Sequence, residues 1–184
     1  KEGELHWRHD RDLSGYNIMP MGIWYEAMIR WVGHATSVVA MTSINVPSRL
    51  DSQGHRKAMS IPDHVEVLCR MAGGAQAHLT FSAVTGLARS PEAWLFGTEG
   101  TLHLDATTAN PCLRFGKLGD RELTEIEIPI EKQGCWRVEE EFCNAIRGQE
   151  KITRTPFEVG LHYMEFTEAV TRSAQTGQTV ALPL

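Results

Sequence analysis

Between Trp7 and Asn17 the chain reads Trp-Arg-His-Asp-Arg-Asp-Leu-Ser-Gly-Tyr-Asn, its densest mixture of aromatic, charged and hydrogen-bonding side chains. Such a mixture suits a sugar or polyol, because aromatic faces cover C–H surfaces while Asp, Arg and Asn bind hydroxyls. A solvated surface loop is the plain alternative. Trp24 and Tyr25 follow in the first turn of a helical pattern, where they either line a ligand site or join the core. His6-x-x-His9, with Asp10 and Asp12 beside it, has the residue types of a metal site. On a strand, however, residues three apart point to opposite faces, so the pair does not converge and no metal is expected. Glu26 and Arg30, four apart on the same helical pattern, read as a surface ion pair worth roughly 0.3–0.5 kcal/mol.

No two glycines are spaced as G-x-G. The chain therefore has no dinucleotide fingerprint and no Gly-rich phosphate loop at a strand-to-helix turn, and no cofactor-binding residue is expected within it. The 184 residues suffice for one well-buried domain, and 42% hydrophobic with 22% charged residues is ordinary for a soluble globular protein. A formal net charge of −5 without a basic run argues against nucleic acid as a partner. No apolar run approaches the roughly 18 residues of a membrane span, and Lys1-Glu2-Gly3-Glu4 does not resemble the start of a signal peptide. Four scattered cysteines without a C-x-x-C pair read as small buried residues of a reducing compartment, which makes the cytoplasm the expected location.

These residues need elements to hold them. Leu5 to Arg8 alternates and predicts a strand. Trp24, Ala27, Met28 and Trp31 form a helical stripe that Gly33 stops. Ser37 to Ile44 predicts a strand, and the polar stretch Pro47 to Pro62 a long excursion within the same domain. Val65–Met71, Gly73-Gly74 and Gln76–Val84 predict a hairpin. Ala93–Phe96 and Thr101–Leu104 predict a second one, followed by strands over Leu113–Phe115 and Glu122–Ile130. Val138, Phe142, Ala145 and Ile146 form the stripe of a helix ended by Gly148. A last helix starts with Thr155 as N-cap, Pro156 as first residue and Glu158 completing a capping box. Its stripe is Val159, Tyr163, Phe166 and Val170, Gly177 ends it, and a strand over Thr179–Leu182 closes the chain. This order predicts a single α+β domain over residues 1–184, an open, mainly antiparallel sheet with helices on one face.

Four stretches carry a resemblance to a known family. They are Trp7-Arg8-His9-Asp10 with Ser14-Gly15, then Met21-Gly22-Ile23-Trp24 and Ile29-Arg30-Trp31-Val32-Gly33; Gly73-Gly74-Ala75; Phe96-Gly97-Thr98-Glu99-Gly100-Thr101-Leu102; and the closing helices with Val180-Ala181-Leu182-Pro183-Leu184. In this order they resemble the C-terminal domain of the glucose–fructose oxidoreductase/inositol dehydrogenase/rhizopine catabolism (Gfo/Idh/MocA) family, whose fold is of the dihydrodipicolinate-reductase-like, glyceraldehyde-3-phosphate-dehydrogenase-like C-terminal type. The resemblance implies a protein of roughly twice this length. An N-terminal Rossmann domain outside this chain would bind NAD or NADP and supply a catalytic lysine. The domain present here would line the substrate cleft with one face and form a homodimer or homotetramer through its sheet. The implied substrate is a sugar or related polyol.

The likeness departs at one point. Where relatives that oxidise polyols usually carry Asp-x-Gly-x-His, this chain has Pro20-Met21-Gly22-Ile23-Trp24, and the family's following Asp is Ala27. Pro and Trp exchange no proton with a hydroxyl at neutral pH, so the acid/base group stays unassigned among Tyr25, Tyr16, Glu26, His9 and Asp10. The expected substrate-binding residues are Trp7, Arg8, Asp10, Tyr16, Asn17, Trp24 and Tyr25, gathered on one side of the domain. The rival expectation is a non-catalytic ligand-sensing or scaffold relative that has lost the Asp and His.

Overall fold

The computed structural model describes residues 5–16, 18, 20–88, 91–107 and 110–184. The chain divides into two compact units, one of Lys1–Val84 with Lys151–Leu184 and the other of Thr85–Glu150.

The first unit holds an antiparallel four-stranded sheet in the order β10 (Val180–Ala181), β1 (Ala35–Ser43), β4 (His64–Met71), β5 (Gln76–Ser82). β4 and β5 form the expected hairpin, with Val67 opposite Leu79 and Gly74 taking φ +87° in its turn, a value that favours glycine. Alternation along β1 and β4 sends Val38, Ala40, Val65, Val67, Cys69 and Met71 inward. Two helices, α2 (Met21–Val32) and α4 (Phe157–Thr176), supply Met21, Tyr25, Ile29, Phe166 and Val170 to the same core. Burying each such side chain stabilises the fold by about 1.5–3 kcal/mol. Cys69 belongs to this core as a small apolar residue, and burial pushes its thiol up to about 12. The opposite face of the sheet, with Val39, Met41 and Leu68, stays exposed.

Several boundaries and faces differ from the sequence reading. Leu5 to Arg8 is not a strand; Trp7–His9 forms a 3-10 turn. α2 buries Met21, Tyr25 and Ile29, whereas Trp24 and Trp31 are exposed. The helix is apolar on most of its circumference, so its pattern did not single out the buried face. Pro47 to Pro62 contains a small hairpin of its own, β2 (Ser48–Leu50) with β3 (Arg56–Ala58). Pro156, not Thr155, is the N-cap of α4 and no side chain caps that end. The Thr155 hydroxyl instead accepts from Arg30 Nη2 at 3.4 Å, and the Arg154 carbonyl accepts from the same nitrogen at 2.6 Å. Arg30 also makes the expected ion pair with Glu26, so one guanidinium ties α2 to the entry of α4.

The second unit is a four-stranded antiparallel sheet in the order β6 (Glu92–Phe96), β7 (Gly100–Asp105), β8 (Cys112–Lys117), β9 (Thr124–Glu125), followed by α3 (Val138–Ile146). The expected α+β class with open antiparallel sheets holds, with the strands of the described residues divided between two four-stranded sheets and the β2–β3 hairpin. The Phe96–Leu102 stretch is the β6–β7 turn. A Cβ on Gly100 would lie 2.4 Å from the Gly116 carbonyl oxygen and 3.1 Å from the Lys117 Cα, so only glycine allows β7 and β8 to approach this closely. The expected strand over Glu122–Ile130 shrinks to two residues. β9 lies at the sheet edge, and Pro129, which has no N–H to give a ladder, precedes a 3-10 turn over Ile130–Lys132. The apolar stripe of α3 is also not buried: Val138, Phe142 and Ile146 are exposed and Glu141 is the buried residue.

Candidate functional site

The site begins with a strap that ties itself. His6 N–H donates to His9 Nδ1 at 3.2 Å, and Arg8 N–H donates to His6 Nδ1 at 3.3 Å. This reciprocal capping turns the backbone at Trp7–His9 and brings the two imidazoles edge to face, centroids 6.2 Å apart. Their Nδ1 atoms are engaged with backbone, and among the described residues no group of three or more His, Cys, Asp or Glu is placed to hold a metal. Burial, with the charges of Arg49 and His6 adding to it, holds the His9 pKa below its usual value, so the ring is neutral at neutral pH.

Asp10 Oδ1 accepts Asp12 N–H at 2.9 Å and so caps the short helix α1 (Arg11–Ser14). The Ser14 hydroxyl is shared between the carbonyls of Arg8 at 3.0 Å and Asp10 at 2.9 Å. The Arg8 guanidinium lies 4.3 Å over the Trp7 ring, and that of Arg11 lies 4.3 Å over Tyr16. Trp7, Arg8, Asp10 and Tyr16 thus share one short, internally bonded segment, with two aromatic rings each faced by a cation. Asn17 lies outside the described residues.

Trp24 and Tyr25 part company. Trp24 is 38% exposed, with its side chain on the open side of α2. Tyr25 is 1% exposed and stacks on Phe166 in the core. Its hydroxyl accepts Ala35 N–H at 3.0 Å, and burial raises its pKa. Tyr25 is therefore a correction to the expected ligand wall: successive helical residues are about 100° apart, so one of this pair faces in when the other faces out. The same geometry removes Tyr25 as a proton donor, and the ion pair with Arg30 engages Glu26.

The strap borders a cleft of about 190 Å³ that the sequence did not reveal. Arg8, His9 and Arg49 meet Met59, Ile61 and Asp63 there. Of the expected substrate-binding residues that are described, only Arg8 lines it. Asp63 is fixed by three donors: Asn45 N–H at 2.8 Å and Asn45 Nδ2 at 2.9 Å reach Oδ1, and Val46 N–H at 2.8 Å reaches Oδ2. Arg49 and Asp63 carry no spacing signal in the sequence. The β2–β3 hairpin places the first and a loop at the start of β4 the second.

The glycine in the first turn of α2, Gly22, faces Tyr163 at ordinary packing distance, 3.5 Å from where a Cβ would sit. It serves helix packing, not phosphate approach.

The architecture matches solved structures. A levoglucosan dehydrogenase in complex with NADH and L-sorbose superposes with a TM-score of 0.83 at 17% identity, covering 99% of this chain and 55% of that one. An NAD binding oxidoreductase from Klebsiella pneumoniae gives 0.82 at 17% identity, covering 100% and 55%. An aldose-aldose oxidoreductase from Caulobacter crescentus complexed with glycerol gives 0.72 at 21% identity, covering 98% and 53%. The chain spans about half the length of these proteins. No curated protein sequence matches it. The model of the GFO/IDH/MocA C-terminal domain matches residues 1–103, which carry the Trp7–Asp10 strap, α2, strands β1, β4 and β5 of the first unit's sheet and the β6–β7 turn. With the fold agreeing over the whole chain, the sequence match settles membership: the chain belongs to the GFO/IDH/MocA C-terminal-domain family.

Proposed function

We propose that the chain is the substrate-side domain of an NAD(P)-dependent oxidoreductase that acts on a sugar or polyol-like compound in the cytoplasm. Family membership carries this reading, with structural neighbours that include a levoglucosan dehydrogenase and an aldose-aldose oxidoreductase supporting it. The sequence has no G-x-G fingerprint, so in this reading the nicotinamide belongs to an N-terminal domain outside these residues and no metal takes part. The role of this chain is to hold the substrate: Trp7, Tyr16 and Trp24 present aromatic surface, while Arg8, Asp10 and Asn17 bind hydroxyls. In this reading the full-length protein is a homodimer or homotetramer joined through the exposed sheet face, and the 184-residue chain alone is inactive. The test is reduction of NAD or NADP, followed by absorbance, with the full-length protein and a panel of sugars and polyols. Turnover of any of them supports the reading; none across the panel, with both cofactors shown to bind, removes it.

One observation favours a second reading. Pro20, Trp24 and Ala27 exchange no proton, and the neighbouring Tyr25 is sealed in the core. A non-catalytic ligand-sensing or scaffold relative needs no acid/base group. It binds the sugar without turnover in the same assay.

A further inference from the structure

The cleft beside the strap has an electrostatic character that a neutral sugar does not require. Two permanent cations, Arg8 and Arg49, line one cleft beside the neutral His9 ring, in a chain whose net charge is −5. The Arg8 Nε is buried and has no hydrogen-bond partner among the described residues. A guanidinium that is partly withdrawn from water with an unmet donor is a costly arrangement, and an oxyanion at its edge offsets that cost. Trp7 fixes the plane of the group by lying 4.3 Å beneath it. The apolar side chains of Met59 and Ile61 line the same cleft. Asp63 also lines the cleft, and its charge repels a second full anion placed against it. Its three donors leave lone pairs over on the two carboxylate oxygens, each of which can accept from a ligand hydroxyl. The volume of about 190 Å³ falls below the roughly 300–1,000 Å³ of sites that enclose a whole drug-sized ligand. The cleft therefore fits the end of a small molecule, not a nucleotide.

We propose that this cleft binds the carboxylate end of a small hydroxylated acid, a sugar acid, with the carboxylate on Arg8 and Arg49 and a neighbouring hydroxyl donating to Asp63. The inference rests on the sugar-oxidoreductase reading for the hydroxyls and on the cleft alone for the acid. Calorimetry on the full-length protein without cofactor separates the two, with D-gluconate, D-glucose and inorganic phosphate as probes. The expected result is gluconate binding in the millimolar range or tighter, at least about tenfold above both glucose and phosphate, the scale of a charge-assisted hydrogen bond. Arg8→Gln and Arg49→Gln each remove that preference, and Arg8→Lys, which keeps the charge without the planar fork, restores part of it. Unchanged thermal melting shows that these variants fold. Equal binding of gluconate and glucose, tighter binding of phosphate, no binding of gluconate, or a preference that survives Arg8→Gln each overturns the proposal. Turnover of neutral sugars alongside any of these results leaves the oxidoreductase reading standing.

Discussion

Tyr25 lies flat against Phe166, ring centroids 3.6 Å apart and planes 4° from parallel, and so joins α2 to α4 through the middle of the core. Its hydroxyl takes up the N–H of Ala35 at the start of β1. Tyr25→Phe keeps the stack and strands that buried donor, at an expected cost of about 1–3 kcal/mol. Tyr25→Ala also opens a cavity and costs about 3–5 kcal/mol. Urea denaturation checks both. A Tyr25→Phe protein as stable as the parent shows that the Ala35 bond contributes nothing.

Ser173 stands on α4 as a fully buried hydroxyl. It accepts Ala40 N–H at 3.0 Å and donates to the Gln178 carbonyl at 2.6 Å. β10 pairs with β1 only at Ser37 and Val38, so Ala40 lies beyond its end and the serine stands in for the missing strand. Ser173→Ala should cost about 1–3 kcal/mol in the same measurement. Amide exchange at Ala40 should quicken more than at its neighbours; if it does not, the serine is not what protects that amide.

Asp63 holds the Asn45–Val46 turn through its carboxylate. Burial works to raise its pKa, but the bonds from Asn45 and Val46 prevail and leave it below the ordinary 3.8. A carboxyl group depressed in the folded state contributes stability that is present above its unfolded value and lost as pH falls through the folded one. Asp63→Asn should thus melt below the parent at neutral pH, and the difference should close as pH falls through and below the ordinary carboxylate range. A gap that persists undiminished in acid points to lost packing instead of lost charge.

Much of the scaffold could be read directly. Gly33 and Gly177 stop their helices as expected, both with positive φ, and the hairpin forms around Gly73-Gly74 as expected. What escaped was whatever depends on a neighbour. Ile126 and Ile128 alternate as a strand would, yet no further strand covers them beyond the edge. Thr155 has the chemistry of a cap, but Arg30 approaches it from 125 residues away. Trp24 and Tyr25 are equally apolar to a periodicity count, and only the position of Phe166 decides which turns inward. The cleft was illegible for the same reason, since Arg8, Arg49 and Asp63 meet only after three separate segments fold.

The family resemblance implies that Trp24 stands at the position of a histidine in relatives that oxidise polyols. In the full-length protein, Trp24→Ala should weaken substrate binding more than cofactor binding, seen as a rise in KM for the sugar with the nicotinamide Kd unchanged. Trp24→His should fold normally, because the side chain is not part of the core. Equal loss of both affinities argues that the indole has no particular part in holding substrate.

The outer face of the first sheet exposes Met41 to 76% and Leu68 to 60%. Contiguous apolar surface of this kind favours association. Light scattering at tens of micromolar, the range of a modest interface, should find more than a monomer, and Leu68→Lys should shift it toward one. A parent protein that is a clean monomer under these conditions excludes the sheet face as the interface.

The close approach at Gly100 bears on how relatives are recognised at all. Its missing Cβ sets the gap between two strands, and no residue of the run from Phe96 to Leu102 lines the cleft beside the strap. A sequence can keep this gauge while every residue of its ligand cleft is exchanged. This part of the family resemblance is therefore silent about chemistry, and two proteins that share it can differ entirely in what they bind.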